Sequence, residues 1–284
     1  LGLAGHAAAL LAVAPGRLVG IDRDPLALTA AGERLAEYGD RVRLVHAVFD
    51  ELAAVLARLG IDRADAILFD LGVSSLQLDE ASRGFSYAHD VSLDMRMDAS
   101  SAGRTAADVV NTYSADELAR VLRDYGEERF APRVARAIVD ARSAAPLATT
   151  GELAELVRNA IPAATRRHGG HPAKRTFQAL RIEVNGELDA LRRALPAAIA
   201  ALRLHGRLVV LSYHSLEDRI VKRALAERLR GCVCPPDLPV CACGHEPELR
   251  LLTRGDVPSG EEIAANPRAA SARLRAAERV RDAA

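Results

Sequence analysis

The chain has 284 residues, of which 49% are hydrophobic and 27% are charged, the composition of a globular protein with a sizeable buried core. This composition excludes an intrinsically disordered chain, a collagen and a coiled coil. No apolar run approaches the roughly 20 residues that a bilayer-spanning helix needs, and the nearest, Ala7 to Ala14, is followed by a proline. We therefore expect no integral membrane segment.

Acidic and basic residues balance over the whole chain, 38 of each, but they are unevenly distributed. The first hundred residues contain 9 basic and 15 acidic side chains, whereas the remainder contains 29 and 23. Only Lys174 and Lys222 are lysines, so nearly all the cations are arginines, which suit bidentate contacts with phosphate and stacking on bases. An alanine- and arginine-rich genome would give the same ratio, so the ratio alone does not predict a nucleic-acid partner.

Two features bear on the cellular location. The chain starts at Leu1 rather than at a methionine, so we expect that residues precede it, and the stretch from Ala7 lacks the basic flank of a signal peptide. The four cysteines all lie between Cys232 and Cys243, which is typical of a local metal or redox element rather than of a secreted disulfide framework. These features favour the cytoplasm.

The first seventy residues alternate short apolar runs with helical patterns. Strands are predicted at Leu18 to Ile21, Val42 to Phe49 and Ala64 to Leu71, and helices at Leu26 to Tyr38 and Glu51 to Leu59. Strands that alternate with helices indicate a parallel sheet, in which ligands bind at the carboxyl ends of the strands. The residues that follow the strands are therefore the candidates for a site.

The pattern changes after Gly72, where a polar loop extends to about Ser101 and only helical periodicity follows. These helices are predicted at residues 106–111, 115–125, 131–142 and 151–160, and a long helical pattern covers 176–204. A strand signal returns at Arg207 to Ser212. We therefore predict an α/β fold with a helical domain of residues 104–175 inserted into a sheet domain of residues 1–103 and 176–284.

The glycine turn at Gly2 to His6 leads into an apolar helix, an arrangement in which small residues let a cofactor approach a helix N-terminus. Asp22 lies seventeen residues after Gly5, at the end of the next strand, where a carboxylate can accept hydrogen bonds from ribose hydroxyls. Asp24 immediately precedes Pro25, so we assign Asp24 to helix capping and Asp22 to the ligand.

Phe49 and Asp70 end the next two predicted strands. A carboxylate that closes an apolar strand is costly unless it is satisfied, so Asp70 is either a capped structural residue or a functional one, and its place at the strand end favours function. These positions suit S-adenosylmethionine at least as well as a nicotinamide cofactor. Spacing alone leaves both cofactors open.

Longer sequence motifs distinguish between the two cofactors. Six of them occur in the order seen in one family: residues 70–79 (DLGVSSLQLD), 83–86 (RGFS), 93–98 (LDMRMD), 125–128 (YGEE), 177–182 (FQALRI) and 214–219 (HSLEDR). The chain resembles the bacterial 16S ribosomal RNA cytosine-N4 methyltransferases from Gly2 to the segments around Asn266 and Ser271. It departs from the usual pattern at Ala4, where glycine is usual, and at Tyr213, where phenylalanine is common.

The resemblance implies a Rossmann-like class I methyltransferase sheet that transfers a methyl group from S-adenosylmethionine to the N4 amine of a cytosine in small-subunit ribosomal RNA. Asp70, or the backbone carbonyls beside it, would accept hydrogens of that amine, and we take Asp70 as the catalytic residue. The cofactor contacts carried over by the resemblance are Ala4, Gly5, His6, Asp22, Phe49, Asp70 and Gln77.

The substrate contacts come from two regions. The target base has to be unstacked, and we expect its pocket near Ser74, Ser75, Arg83 and His214. Residues 158–182 contain six cations and no acidic residue, which indicates a surface for RNA phosphates, although a solvated helix face is the common alternative. The cations assigned to RNA are Arg166, Arg167, Lys174 and Arg175.

The cysteines form two Cys-x-Cys pairs, Cys232 with Cys234 and Cys241 with Cys243. Four thiols in a reducing compartment could bind zinc, but the spacing is tighter than usual, so structural zinc and plain reduced thiols both stay open. Two other functions also stay open: a nicotinamide-dependent oxidoreductase on the same fold, and a non-catalytic RNA-binding assembly factor. The partner would be 16S ribosomal RNA, within the small subunit, and a homodimer is an open alternative to a monomer.

Overall fold

In the computed structural model, the residues described are 1–163, 171–231, 234, 240 and 243–281, without the side chains of residues 75 and 81. The chain divides into two compact units. The first unit comprises Leu1–His46 and Val73–Glu187, and the second comprises Ala47–Gly72 and Leu188–Ala284. The predicted boundaries at 103/104 and 175/176 stay a prediction.

The described residues form the following regular elements, numbered in chain order. The strands are β1 Leu18–Asp22, β2 Val42–His46, β3 Ala64–Asp70, β4 Leu202–Ser212, β5 Leu249–Leu251 and β6 Arg273–Arg279. The α-helices are α1 Gly5–Val13, α2 Pro25–Arg34, α3 Leu52–Arg58, α4 Ser75–Asp79, α5 Ala106–Thr112, α6 Ala115–Gly126, α7 Ala131–Ala144, α8 Thr150–Ala160, α9 Lys174–Asn185, α10 Glu187–Ala201, α11 Ser215–Arg228 and α12 Gly260–Ala265. Short 3-10 helices cover Ala36–Arg41, Phe49–Glu51, Ala81–Arg83 and Pro267–Ser271.

Each unit contains one sheet. In the first unit β1 and β2 pair in parallel, from Leu18 opposite Val42 to Asp22 opposite His46. In the second unit the strand order is β3-β4-β6-β5, in which β3 and β4 are parallel while β6 runs antiparallel to both of its neighbours. The prediction of an α/β fold with parallel strands is confirmed, and so is the return of a strand after the helical region.

Four sequence expectations differ from the structure. Phe49 does not end a strand, because β2 ends at His46 and a 3-10 helix starts at Phe49. The pattern predicted as a helix to Tyr38 splits into α2 and a 3-10 helix, and the polar loop after Gly72 contains α4 and a 3-10 helix. The long helix predicted for 176–204 is two helices, because Gly186 adopts a φ of 61° and its amide closes α9 on Ile182, the usual role of a left-handed glycine.

Three helices of the first unit start at a reciprocal cap that the sequence supplies. α5, α6 and α8 each begin with a reciprocal capping box, between Thr105 and Asp108, Ser114 and Glu117, and Thr149 and Glu152. Such boxes satisfy amides that a helix start leaves unpaired. The apolar faces of α5 to α9 meet in one core, whose fully buried residues include Leu118, Leu122, Ile138, Leu153 and Leu180.

A buried arginine caps the C-terminal end of α10 in the second unit. Arg279 of β6 is only 2% exposed, and its Nη1 donates to the carbonyl oxygens of Leu202 at 2.6 Å, Ala200 at 2.9 Å and Ile199 at 3.3 Å. These carbonyls lie at the negative end of the helix dipole, so a cation stabilises them. Among the described helices, none is long and apolar enough to cross a membrane.

We predict that Arg279→Ala lowers the free energy of unfolding by about 3 kcal/mol, because it removes the charged donor from the buried carbonyls of Ile199 and Leu202. Arg250→Ala is the matched control, since that side chain is exposed and pairs with Glu278 at 2.9 Å, and its loss should cost less than about 1 kcal/mol. Urea denaturation of the two variants measures both values. Equal losses would contradict the capping role of Arg279.

Candidate functional site

The glycine turn of the first unit leaves the start of α1 open. Gly2 and Ala4 both adopt left-handed backbone conformations, with φ of 54° and 57°, and no side chain caps α1. A Cβ added to Gly5 would meet nothing within 4 Å. The predicted cofactor residues Ala4 and Gly5 therefore border a helix N-terminus whose amides can face an anionic group. His6 follows in the first turn of α1 and is exposed.

The left-handed conformation explains the usual glycine at position 4. A residue with a Cβ pays roughly 1–2 kcal/mol for it, and Ala4 is fully buried. The methyl group packs into the apolar cluster formed with Ala7, Leu11 and Leu35. Burial therefore offsets part of the strain that alanine introduces there.

Asp22 lies at the carboxyl end of β1, and its carboxylate is oriented by backbone amides. Oδ2 accepts a hydrogen bond from Gly2 N at 2.9 Å, and Oδ1 accepts one from Asp24 N at 2.9 Å. The structure thus brings Asp22 together with the glycine turn, as the sequence predicted. A carboxylate has about four lone-pair sites, so Asp22 keeps acceptor capacity for hydroxyl groups of a ligand.

Asp24 is the N-cap of α2, as predicted, and it also carries a buried network that the sequence did not reveal. Its Oδ1 accepts from Leu26 N at 3.1 Å. Its Oδ2 accepts from Gln77 Nε2 at 2.9 Å and from Arg83 Nη1 at 3.1 Å. Asp24 is 1% exposed, so this carboxylate depends on Gln77 and Arg83 for compensation.

Gln77 and Arg83, predicted as cofactor and substrate contacts, make several bonds within the protein. Gln77 forms a capping box with Ser74: its Oε1 accepts from Ser74 N at 3.0 Å, and its own N donates to Ser74 Oγ at 3.3 Å. Arg83 Nη2 donates to the carbonyl oxygens of Met97 at 2.7 Å and Arg96 at 3.1 Å. Their ligand roles stay predictions. The Ser-x-x-Gln spacing was the one signal in the sequence for this cap.

Asn185, at the end of α9, fixes the segment that contains Met95 and Met97. Its Oδ1 accepts from Met97 N at 2.8 Å, while its Nδ2 donates to Met95 O at 2.8 Å. Arg23 Nη1 donates to the Asn185 carbonyl oxygen at 2.7 Å. Sequence reasoning missed Asn185, because nothing in its neighbourhood marks it as a contact for residues about ninety positions away.

The second unit contains Asp70 and Phe49. Asp70 ends β3 and is exposed, and Tyr213 Oη donates a hydrogen bond to its Oδ1 at 2.9 Å. Phe49 is half-buried, and its ring packs edge-on against Phe69, with 5.8 Å between ring centroids. The phenylalanine therefore reaches the side of β3 from a 3-10 helix rather than from a strand. Tyr213 was not among the predicted site residues.

A buried carboxylate organises the turn after β4. Glu217 is 2% exposed, and its Oε2 accepts from Tyr213 N at 2.8 Å and from His214 N at 3.2 Å. His214 is the N-cap of α11, and its ring Nε2 lies 3.2 Å from Glu217 Oε1. The neighbouring Asp218 forms a bidentate pair with Arg275 of β6, at 2.7 and 3.0 Å. The role of His214 as a substrate contact stays a prediction.

The cations predicted to bind RNA are described only in part. Lys174 starts α9 and is exposed, whereas Arg175 Nη1 donates to Glu127 O at 2.9 Å, next to the C-terminal end of α6. Arg166 and Arg167 lie outside the described residues, as does the side chain of Ser75. Exposed His171, just before α9, stacks on Tyr87 with 4.3 Å between ring centroids.

The predicted zinc ligands cannot be compared as a set, because Cys232 and Cys241 lie outside the described residues. Cys234 is half-buried and Cys243 is exposed, and Cys243 Sγ accepts from His245 N at 3.5 Å. Within the part of the chain that is described, no three His, Cys, Asp or Glu side chains come together as metal ligands. Zinc stays a prediction.

Comparison with known proteins defines the class. Several relatives are named ribosomal RNA small subunit methyltransferase H. The protein from Saccharopolyspora erythraea is 66% identical over 100% of this chain and 86% of its own length. The protein from Thermobifida fusca is 64% identical over 99% of this chain and 86% of its own length. A protein of the same name from Heliobacterium modesticaldum is 58% identical over 99% of this chain and 91% of its own length. A solved chain from Clostridium thermocellum covers 98% of this chain and 84% of its own, at 12% identity and a TM-score of 0.42.

The relatives that are 58–66% identical are named methyltransferases, so the protein is a methyltransferase and not a nicotinamide-dependent oxidoreductase. The MraW methylase family model matches residues 1–280. The chain belongs to the MraW methylase family. The resemblance recognised from the six sequence strings is confirmed.

We predict that Arg83→Met lowers the free energy of unfolding by about 3–5 kcal/mol, because it leaves the Asp24 carboxylate buried without its cation. Asp24→Asn supplies the other side of a double-mutant cycle. The double variant should lose about 1–3 kcal/mol less than the sum of the two single losses, measured by chemical denaturation. Strict additivity would show that the pair is not coupled.

Proposed function

We propose that the protein transfers a methyl group from S-adenosylmethionine to the exocyclic N4 amine of a cytosine in 16S ribosomal RNA. The observation that carries this proposal is Asp70, an exposed carboxylate at the carboxyl end of β3 that is oriented by a neighbouring phenol. Membership of a methylase family and relatives named for the small ribosomal subunit support it. Such a substrate would place the reaction in the cytoplasm.

The residues of the first unit fit the chemistry of S-adenosylmethionine. The uncapped start of α1 offers amides and a positive dipole end to the methionyl carboxylate, and Asp22 offers acceptor sites to ribose hydroxyls. In the second unit, the ring of Phe49 offers an apolar surface suited to adenine. When bound, the cofactor supplies a methyl group on a positively charged sulfur.

Asp70 acts on the acceptor amine in this proposal. The lone pair of an exocyclic cytosine amine is delocalised into the ring, so the nitrogen has to be held in line with the methyl carbon. As the new nitrogen–carbon bond forms and the sulfur–carbon bond breaks, positive charge develops on the nitrogen, which then loses one proton. A carboxylate that accepts the amine hydrogens stabilises this charge in the transition state.

The substrate contacts that we assign come from both units. Ser74 and Arg83 lie in the segment held by Asp24, His214 begins α11, and Lys174 begins α9. Arg166, Arg167 and the side chain of Ser75 belong to the same proposal from sequence alone. A zinc site at the cysteines and a homodimer also stay proposals.

The decisive experiment incubates the protein with isotopically labelled S-adenosylmethionine and small ribosomal subunits from a strain that lacks the enzyme. Nuclease digestion and mass spectrometry then identify the methylated nucleoside, and naked 16S RNA is assayed in parallel. We expect N4-methylcytidine. A methyl label on another atom would still show a methyltransferase but would overturn the assignment of cytosine N4 as the acceptor. Cofactor binding without any methylation would instead favour a non-catalytic assembly factor.

We predict that Asp70→Asn lowers the single-turnover rate of methyl transfer at least about a hundredfold, since it removes the negative charge that faces the amine. The affinity for S-adenosylmethionine, measured by calorimetry, should change much less. Asp65→Asn is the matched control, because Asp65 lies on the same strand, is exposed and pairs with Arg203 at 2.7 Å. A full rate for the Asp70 variant would overturn the role given to this carboxylate.

We predict that Lys174→Ala weakens RNA binding several-fold and reduces the slope of log affinity against log salt by about one, as expected for the loss of one phosphate contact. The rate at saturating RNA should not change. Lys222→Ala, which removes the other exposed lysine of the chain, is the control. Filter binding over a series of salt concentrations provides the slopes, and equal slopes for both variants would place the RNA phosphates elsewhere.

A further inference from the structure

The hydroxyl group of Tyr213 and the carboxylate of Asp70 are brought together by the register of two parallel strands. β3 and β4 pair with Asp70 opposite Leu211, and Leu71 N donates to Leu211 O at 3.0 Å. Tyr213 is therefore the second residue after the partner of Asp70: Asp70 is the last residue of β3, and Tyr213 directly follows the last residue of β4. From there Tyr213 Oη reaches Asp70 Oδ1 at 2.9 Å.

The surroundings of Tyr213 hold the phenol in this position. Its backbone amide donates to Glu217 Oε2 at 2.8 Å, and Glu217 is itself buried at the start of α11. One edge of the ring lies beside Gly72, where an added Cβ would be 3.7 Å from Tyr213 Cδ2. The side chain is half-buried, and these contacts place its hydroxyl group beside Asp70.

The phenol is a permanent donor in this environment. Burial, followed by the negative charges of Asp70, Glu217 and Glu262, holds the pKa of Tyr213 well above its usual value. The hydroxyl group therefore keeps its proton at neutral pH and can donate it to a hydrogen bond with Asp70. A hydrogen bond from a neutral donor to a carboxylate is stronger than one between two neutral groups.

We propose that Tyr213 is a positioning residue for methyl transfer, whose hydroxyl group orients the Asp70 carboxylate toward the acceptor amine. This inference rests on the proposed function of Asp70. A carboxylate has about four lone-pair sites, so the hydrogen bond from Tyr213 uses one of them while it restricts the rotation of the group. Tyr213 would then affect the chemical step and not the binding of cofactor or RNA.

The test is Tyr213→Phe, which removes the hydroxyl group and keeps the ring against Gly72. We expect the single-turnover rate to fall about five- to tenfold. The KM for RNA and the Kd for S-adenosylmethionine should each stay within about twofold. A purely structural role would leave the rate unchanged in this conservative variant, because the ring packing is retained.

Tyr38→Phe is the control for loss of a tyrosine hydroxyl elsewhere, since Tyr38 is half-buried in the first unit and packs near Arg41. Its rate should equal that of the unaltered protein. An unchanged rate for Tyr213→Phe, or a higher KM or Kd at constant rate, overturns the positioning role. If the unaltered protein methylates no RNA at all, the proposed function has failed instead, so the two failures are distinguishable.

Discussion

The buried ion pair between Asp24 and Arg83 is the interaction on which the candidate ligand residues of the first unit depend. An isolated carboxylate at 1% exposure would be too costly to keep ionised, and here Arg83, Gln77 and the start of α2 compensate it together. The same contacts join the turn after β1 to the segment around Ser74 and Met97. Asp24 N also donates to Asp22 Oδ1, so Asp22 is bonded to the backbone of the residue that forms this pair.

In the second unit, Glu217 is the buried carboxylate that needs compensation. Its buried carboxylate binds the amides of Tyr213 and His214, and the adjacent Asp218 binds Arg275 on the antiparallel strand. Two consecutive acidic residues of α11 thus fix the turn after β4 and attach the helix to the sheet.

The sequence predicted most strands and helices, because hydrophobic periodicity and capping residues are local signals. It failed where a single residue decides the outcome, as when Gly186 divides a continuous helical pattern, or where β2 ends before Phe49. The ligand assignment of Asp22 and the cap of Asp24 followed from strand and helix ends. The bonds from Asp24 to Gln77 and Arg83 could not be predicted, because they join residues 53 and 59 positions apart, and no local pattern encodes such contacts.

Each unit has one buried acid and one more accessible acid near the carboxyl ends of its strands. Asp24 and Glu217 are almost completely buried and bind side chains or amides that shape the turn, whereas Asp22 is half-buried and Asp70 is exposed. The difference has a physical cause, since a buried carboxylate requires partners on all sides, and those partners leave little capacity for a ligand. An accessible carboxylate that is oriented by only a few hydrogen bonds can still accept more. The accessible acids Asp22 and Asp70 are therefore the ones suited to ligand and substrate, whereas Asp24 and Glu217 shape the turns that follow β1 and β4.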